Sequence, residues 1–123
     1  MRILVVEDDR KVAGFLEQGL LEEQFDVDVA HEGDAGLARA ASGGYDLIVL
    51  DYMLPNRSGP EIASAVRQLG MRVPILMLSA RDDGRDIQAA LHAGVTAYLT
   101  KPFRFDELLR QIGALLADNR HSP

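Results

Sequence analysis

A chain of 123 residues, 47% of them hydrophobic, has the size of one ordinary domain and enough apolar content for a real core. Its 13 Lys and Arg against 19 Asp and Glu leave a net charge of −6, which disfavours nucleic-acid binding by this segment and suits a protein that holds a cation or meets basic partners. No stretch approaches the roughly 18–20 apolar residues of a membrane span, no signal-peptide pattern opens the chain, and without cysteine there is neither disulfide nor thiolate chemistry, so a cytoplasmic protein is expected.

The first predicted element is a strand over Ile3–Val6 (ILVV), which runs straight into Glu7, Asp8 and Asp9. Three adjacent carboxylates repel one another and need solvent or a counter-charge. Asp9 is also well placed to cap the helix that follows, whose stripe is Val12, Phe15, Leu16 and Leu20. A second strand is predicted over Val27–Ala30. The helix after it, around Leu37 to Ala41, has the weakest pattern, and Gly33 in HEGDAGLARA fits a helix cap rather than a phosphate-binding loop.

A third strand, Leu47–Leu50, ends at Asp51, and Ile62, Val66 and Leu69 mark the next helix. The fourth strand, Ile75–Leu78, ends at Ser79. The charged run Arg81–Asp86 reads as the solvated start of a helix carrying Ile87, Ala90 and Leu91 on one face, with Gly84 weakening its first turn. The fifth strand, Ala97–Leu99, leads to Thr100, Lys101 and Pro102. The clearest stripe comes last: Leu108, Leu109, Ile112, Leu115 and Leu116. Gly14, Gly19 and Gly113 each cost a helix roughly 1 kcal/mol against alanine, so packing must hold those helices. Asp118–Pro123 (DNRHSP) reads as a fraying end, with the domain taken over 1–119 and residues 120–123 as a tail or the start of a linker.

Five β-α units make a (βα)5 α/β fold. Right-handed crossovers turn it into a doubly wound, flavodoxin-like parallel sheet with expected strand order 2-1-3-4-5. Ligands in such sheets bind beyond the carboxyl ends of the strands, near the switch in strand order. That rule selects Glu7, Asp8 and Asp51 from the central strands, flanked by Ser79 and Lys101. Clustered carboxylates suit a hard cation such as Mg²⁺. Lysine offers a point charge for a phosphoryl oxygen, and serine a hydroxyl donor. A carboxylate facing both can form an aspartyl phosphate. His31, His92 and His121 are isolated and expected to be exposed, with no phosphotransfer or metal role.

Four stretches in order, VVEDD (5–9), DLIVLDYMLPNRSG (46–59), PILMLSAR (74–81) and AYLTKPF (97–103), resemble the receiver domain of two-component response regulators over nearly the whole chain. The resemblance implies that Asp51 is the phosphoacceptor. Asp8 becomes the direct Mg²⁺ ligand, Glu7 a ligand acting through water, and the Met53 backbone carbonyl a further ligand, with Mn²⁺ able to substitute. Ser79 matches the switch hydroxyl, Tyr98 the aromatic switch and Lys101 the site lysine, and the Lys101–Pro102 bond is expected to be cis. The implied partner is a histidine kinase or phosphotransfer protein, and the implied output is a changed surface of the fourth helix, fifth strand and fifth helix.

The wording MLP and SAR…AYLTKPF resembles the OmpR/PhoB-like subfamily, in which a DNA-binding domain follows the receiver. Those receivers pair through the fourth helix, fifth strand and fifth helix by salt bridges between fixed positions. Here those positions hold Ile87, Thr96, Ala97, Gln111 and Asp118, and only Glu107 keeps its type, so the charged dimer is expected to be weak or absent. An effector domain that controls transcription is one expected output, and a stand-alone receiver acting by protein contact is the alternative. A phosphohydrolase would need a second acid where Met53 stands, and an inactive pseudo-receiver would be expected to lack Asp51, Asp8 or Lys101.

Overall fold

Runs such as LIVL and ILML are apolar at every position, which a strand tolerates only when both of its faces are covered. In the computed structural model, which describes residues 1–121, they form β3 (Leu47–Asp51) and β4 (Ile75–Ser79), each buried along its whole length. The other elements are β1 (Arg2–Val6), α1 (Arg10–Glu22), β2 (Asp26–Ala30), α2 (Gly33–Ser42), α3 (Gly59–Gln68), α4 (Gly84–Ala93), β5 (Ala97–Thr100) and α5 (Phe105–His121). The five strands are all parallel, in the expected order β2-β1-β3-β4-β5. The predicted strands are each a residue or so short, because the polar residue that starts or ends the ladder has no hydrophobic signature.

Strand side chains alternate between two cores. Leu4, Val6, Ile48, Leu50, Ile75 and Met77 pack with Ile62, Ala63 and Val66 of α3, Ala40 of α2 and Ala90 of α4. Ile3, Val5, Leu47, Val49, Leu76 and Leu78 face Leu16 and Leu20 of α1 and Leu108, Ile112, Leu115 and Leu116 of α5. Of the predicted stripe on α5, Leu108, Ile112, Leu115 and Leu116 are buried and Leu109 is half-buried against them. Three other stripe residues, Phe15, Leu69 and Leu91, are exposed. Phe15 sits at the α1–α5 seam with its ring edge-on to Phe105 at 5.5 Å, Leu69 is the C-cap of α3, and Ala90 alone is buried in α4. The Leu37–Ala41 pattern is indeed part of a helix. α5 continues to His121, through residues the sequence reads as tail. Residues 122–123 and the His121 side chain lie outside the described residues.

Two glycines owe their place to close backbone approach. Gly33 opens α2, but its reason is not capping. A Cβ there would run into the Arg57 carbonyl and would lie 2.6 Å from the Arg57 nitrogen, where the β3–α3 loop crosses; the Gly33 N–H donates to the Pro55 carbonyl at 2.9 Å. Gly59 opens α3 beside the end of β3. Its N–H donates to the Tyr52 carbonyl at 2.8 Å, and a Cβ would collide with the Asp51 carbonyl and meet Met77 Cε at 2.7 Å. Gly59→Ala is therefore expected to cost about 1–3 kcal/mol in urea unfolding. Gly14→Ala, with nothing within 4 Å of its Cβ, is expected to cost nothing in the same measurement.

Candidate functional site

β1 and β3 are neighbours with Val6 opposite Leu50, so the next residues, Glu7 and Asp51, emerge side by side at the carboxyl edge. Glu7 is still held by the sheet: its N–H donates to the Ala30 carbonyl at 3.0 Å. Its own carbonyl lies 3.0 Å from His31 Nδ1. A carbonyl only accepts, so that nitrogen carries the proton. His31 is thus half-buried and bonded to the site's backbone, which corrects the expectation of an exposed, isolated side chain. Asp9 leaves the edge to cap α1, accepting from Lys11 and Val12 N–H groups at 3.0 and 3.3 Å. The acidic triplet therefore divides as expected: Asp9 serves the helix, while Glu7 and Asp8 stay with Asp51.

Oxygen atoms of Glu7, Asp8 and Asp51 lie within 4.8 Å of one another. Glu7 and Asp51 are buried, and Asp8 is exposed. Lys101, delivered by the turn after β5, donates to Glu7 Oε1 at 2.9 Å and to Asp51 Oδ1 at 3.0 Å. The bond between Lys101 and Pro102 is cis, as the resemblance implies. Burial pushes the Glu7 carboxyl up to about 7 from 4.5; the Lys101 hydrogen bond pulls the other way, and the neighbouring Asp51 charge adds to the rise. Burial works against the Lys101 ammonium, but its bonds to Glu7 and Asp51 prevail and hold its pKa above the ordinary value.

Ser79 ends β4 and is buried, opposite Thr100 of β5. Its Oγ accepts the Arg81 N–H at 2.9 Å and makes no bond to Asp51. Tyr98 on β5 is half-buried and donates its phenol to the Arg81 carbonyl at 2.8 Å. Burial raises its pKa, with the Ser79 hydroxyl the leading opposing influence. The Met53 side chain is exposed. The structure thus gathers Glu7, Asp8, Asp51 and Lys101 into one cluster, and it sets Ser79 and Tyr98 beside that cluster around a shared residue, Arg81. An all-oxygen donor set with one ammonium cannot neutralise itself, which is the chemistry a hard divalent cation answers.

Fold and site together define a doubly wound α/β protein with a buried acidic centre at its switch point. A model of the response regulator receiver domain matches residues 3–113, and the chain belongs to that family: it is the receiver domain of a two-component response regulator. It is 46% identical over 115 residues to the transcriptional regulatory protein PcoR of Escherichia coli, covering 94% of this chain and 51% of that one. It is 44% identical to the response regulator ArlR of Staphylococcus saprophyticus subsp. saprophyticus, with coverage of 94% and 52%. Both relatives are of the OmpR/PhoB type. The chain spans about half the length of the curated relatives it matches. Among solved structures, a Francisella response regulator receiver domain superposes with a TM-score of 0.91 at 33% identity, covering 96% of this chain and 98% of that one. The response regulator TrrA of Thermotoga maritima, solved in complex with Mg²⁺ and BeF, gives 0.84 at 35% identity, with coverage of 93% and 97%. Receivers of this family bind Mg²⁺.

Two residues near the site escape sequence reasoning. Arg81 reads as part of a solvated charged run, and His31 as a lone surface residue. Their partners are backbone groups and side chains brought in by other elements, which no local spacing encodes. Glu7 gives the site a pH signature. Its folded pKa, about 7, exceeds the ordinary 4.5, so the stability it contributes is fully present below about 4.5 and is lost as pH rises through about 7. In EDTA, Glu7→Gln is expected to unfold at a higher temperature than wild type at pH 8, with the difference shrinking towards pH 4.5. Calorimetry across that range checks it, and a constant difference contradicts it.

Proposed function

We propose that Asp51 is the phosphoacceptor of this receiver and takes a phosphoryl group from the phosphohistidine of a histidine kinase or phosphotransfer protein. The observation that carries this reading is the Lys101 ammonium bound to both Glu7 and Asp51 at 2.9 and 3.0 Å, in a carboxylate cluster tight enough for a cation. An Asp51 oxygen attacks phosphorus in line as the phosphorus–nitrogen bond breaks, and the bonding pair stays on the histidine ring nitrogen. Lys101 is held where it can meet a phosphoryl oxygen, and Ser79 can turn its hydroxyl to another by giving up the Arg81 N–H. Asp8, Glu7, Asp51 and the Met53 carbonyl would hold Mg²⁺, with Mn²⁺ as a substitute; when bound, the ion supplies the charge that lets an anionic nucleophile meet an anionic donor. Water later attacks phosphorus and returns the carboxylate. Met53, where a phosphohydrolase would place an acid, gives no proton to speed that step.

On this reading the domain works in the cytoplasm and signals through α4, β5 and α5, with Ser79 and Tyr98 as the moving pair. Among the described residues no helix is long and apolar enough to cross a membrane. The relatives' names and their greater length support a transcriptional output from a longer protein. The surface that pairs such proteins supports the alternative, a receiver acting alone by protein contact. Ile87 and Ala97 bring no charge, the Thr96 hydroxyl is used by Ile75 N–H and Arg67, and Glu107 accepts the Arg104 N–H at 3.2 Å at the start of its own helix.

Acetyl phosphate with Mg²⁺ is expected to shift the wild type on a Phos-tag gel and to leave Asp51→Asn unshifted. Asp8→Asn is expected to need far more Mg²⁺ for the same shift, and Asp9→Asn no more than wild type. An equal shift in Asp51→Asn removes the reading. Sedimentation of the beryllofluoride-loaded domain is expected to give a monomer, and a tight dimer that Ile87→Lys abolishes would reverse the view of the α4–β5–α5 face.

A further inference from the structure

Arg81 touches more of the switching machinery than any residue the resemblance assigns. Its N–H donates to Ser79 Oγ at 2.9 Å, and its carbonyl accepts from Tyr98 at 2.8 Å. Its guanidinium lies 4.9 Å from the centre of the Tyr52 ring and 3.6 Å from Met53 Sδ. The same group pairs with Asp86 at 3.5 Å. Tyr52 and Met53 directly follow Asp51, and Asp86 lies in the first turn of α4. One side chain thus spans the gap between the phosphoacceptor loop and α4.

α4 has little else to hold that end. Ala90 is its one buried residue, and nothing lies within 4 Å of a Cβ at Gly84. Its other end is anchored: the carbonyl of the C-cap, Gly94, accepts Arg67 Nε from α3 at 3.0 Å, and Arg67 also bonds the carbonyls of Met71 and Val73. The helix is therefore fixed at its C-terminus; at its N-terminus Asp83 caps the first turn locally, accepting the Arg85 N–H at 2.7 Å, and the ion pair to Arg81, whose side chains are 45% and 30% exposed, links that turn to the loop after Asp51. A pair so placed is weak. A phosphoryl group is a better partner for a guanidinium, because its oxygens match the planar fork and it carries about two negative charges where the Asp51 carboxylate carried one.

We propose that Arg81 is a charge-sensing latch: it ties the N-terminus of α4 to the loop after Asp51 and lets go of Asp86 when Asp51 is phosphorylated. This rests on the reading of Asp51 as phosphoacceptor. The phosphoryl charge draws the guanidinium off Asp86, and the first turn of α4 is released while its far end stays pinned. The same main-chain segment carries both switch bonds, so Ser79 and Tyr98 respond with it.

Hydrogen exchange over the amides of residues 84–90 tests the latch, with beryllofluoride and Mg²⁺ standing in for the phosphoryl group and fluorine NMR reporting its uptake. In the unloaded state Asp86→Asn and Arg81→Gln, both at the protein surface, are expected to speed this exchange roughly two- to fivefold, the range of a surface ion pair. Loading is expected to speed the wild type by the same factor and to add nothing in either variant. A wild type that takes up no beryllofluoride overturns the phosphoacceptor reading and the latch with it. A wild type that loads without faster exchange in α4, variants that exchange as slowly as unloaded wild type, or variants that still accelerate on loading as much as wild type overturn the latch alone.

Discussion

One ammonium shared by two buried carboxylates organises this domain. Lys101 lies within 3.0 Å of both Glu7 and Asp51, and these three residues come from the position after β1, the end of β3 and the turn after β5. Isolated in an apolar interior, either carboxylate would be costly. Sharing the lysine lowers that cost without removing it: three clustered carboxylates face a single ammonium, and Glu7 remains so poorly compensated that its pKa rises to about 7. The imbalance is what makes the centre useful. A site that satisfied its own charge would have no affinity for a dication, and one with no lysine would be hard to fold around.

The sheet exists in a form that permits this. Buried on both faces, β1, β3 and β4 have only their ends free for polar groups, so the acids and Ser79 fall at one edge. Parallel pairing brings those ends level, with Asp51 opposite Leu78 and Ser79 opposite Thr100. The close approaches at Gly33 and Gly59 then press the β3–α3 loop against α2 and against the end of β3. Asp51 sits on a short stretch fixed from both sides, while the segment after Ser79 is joined to Tyr98 and to the loop after Asp51 through Arg81. Rigidity is concentrated at the nucleophile and compliance at the element that would move.

Much of this was legible in the sequence because parallel strands announce themselves. A run such as LIVL has one physical explanation in a small domain, and the residue after it must be at an edge. That logic found Glu7, Asp8, Asp51, Ser79 and Lys101 by position and Asp9 as a cap by chemistry. It failed where a residue's role depends on a distant segment. Phe15 and Leu69 carry the helical period but lie at a seam and at a helix end, where periodicity still counts and burial does not. Gly33 looked like a cap because its neighbour in space, Arg57, is 24 positions away in the chain. Arg81 is exposed, as a run of charges usually is, but nothing local reveals that its carbonyl meets Tyr98.

The outward face carries the same division between local and distant satisfaction. At α4–β5–α5 two of the polar side chains are already engaged inside the domain: the Thr96 hydroxyl accepts from Ile75 N–H and Arg67, and Glu107 accepts from Arg104. On the proposed reading, those two groups are not free to pair with a second copy across a two-fold axis, where like residues meet. On that reading the face would still differ between two states through the position of α4 and the burial of Tyr98, because those depend on packing rather than on free charge. Recognition of such a face favours a partner that reads shape and apolar area, with Ile87 half-buried and Leu91 exposed on α4 as the surface that the helix would carry with it when its first turn moves.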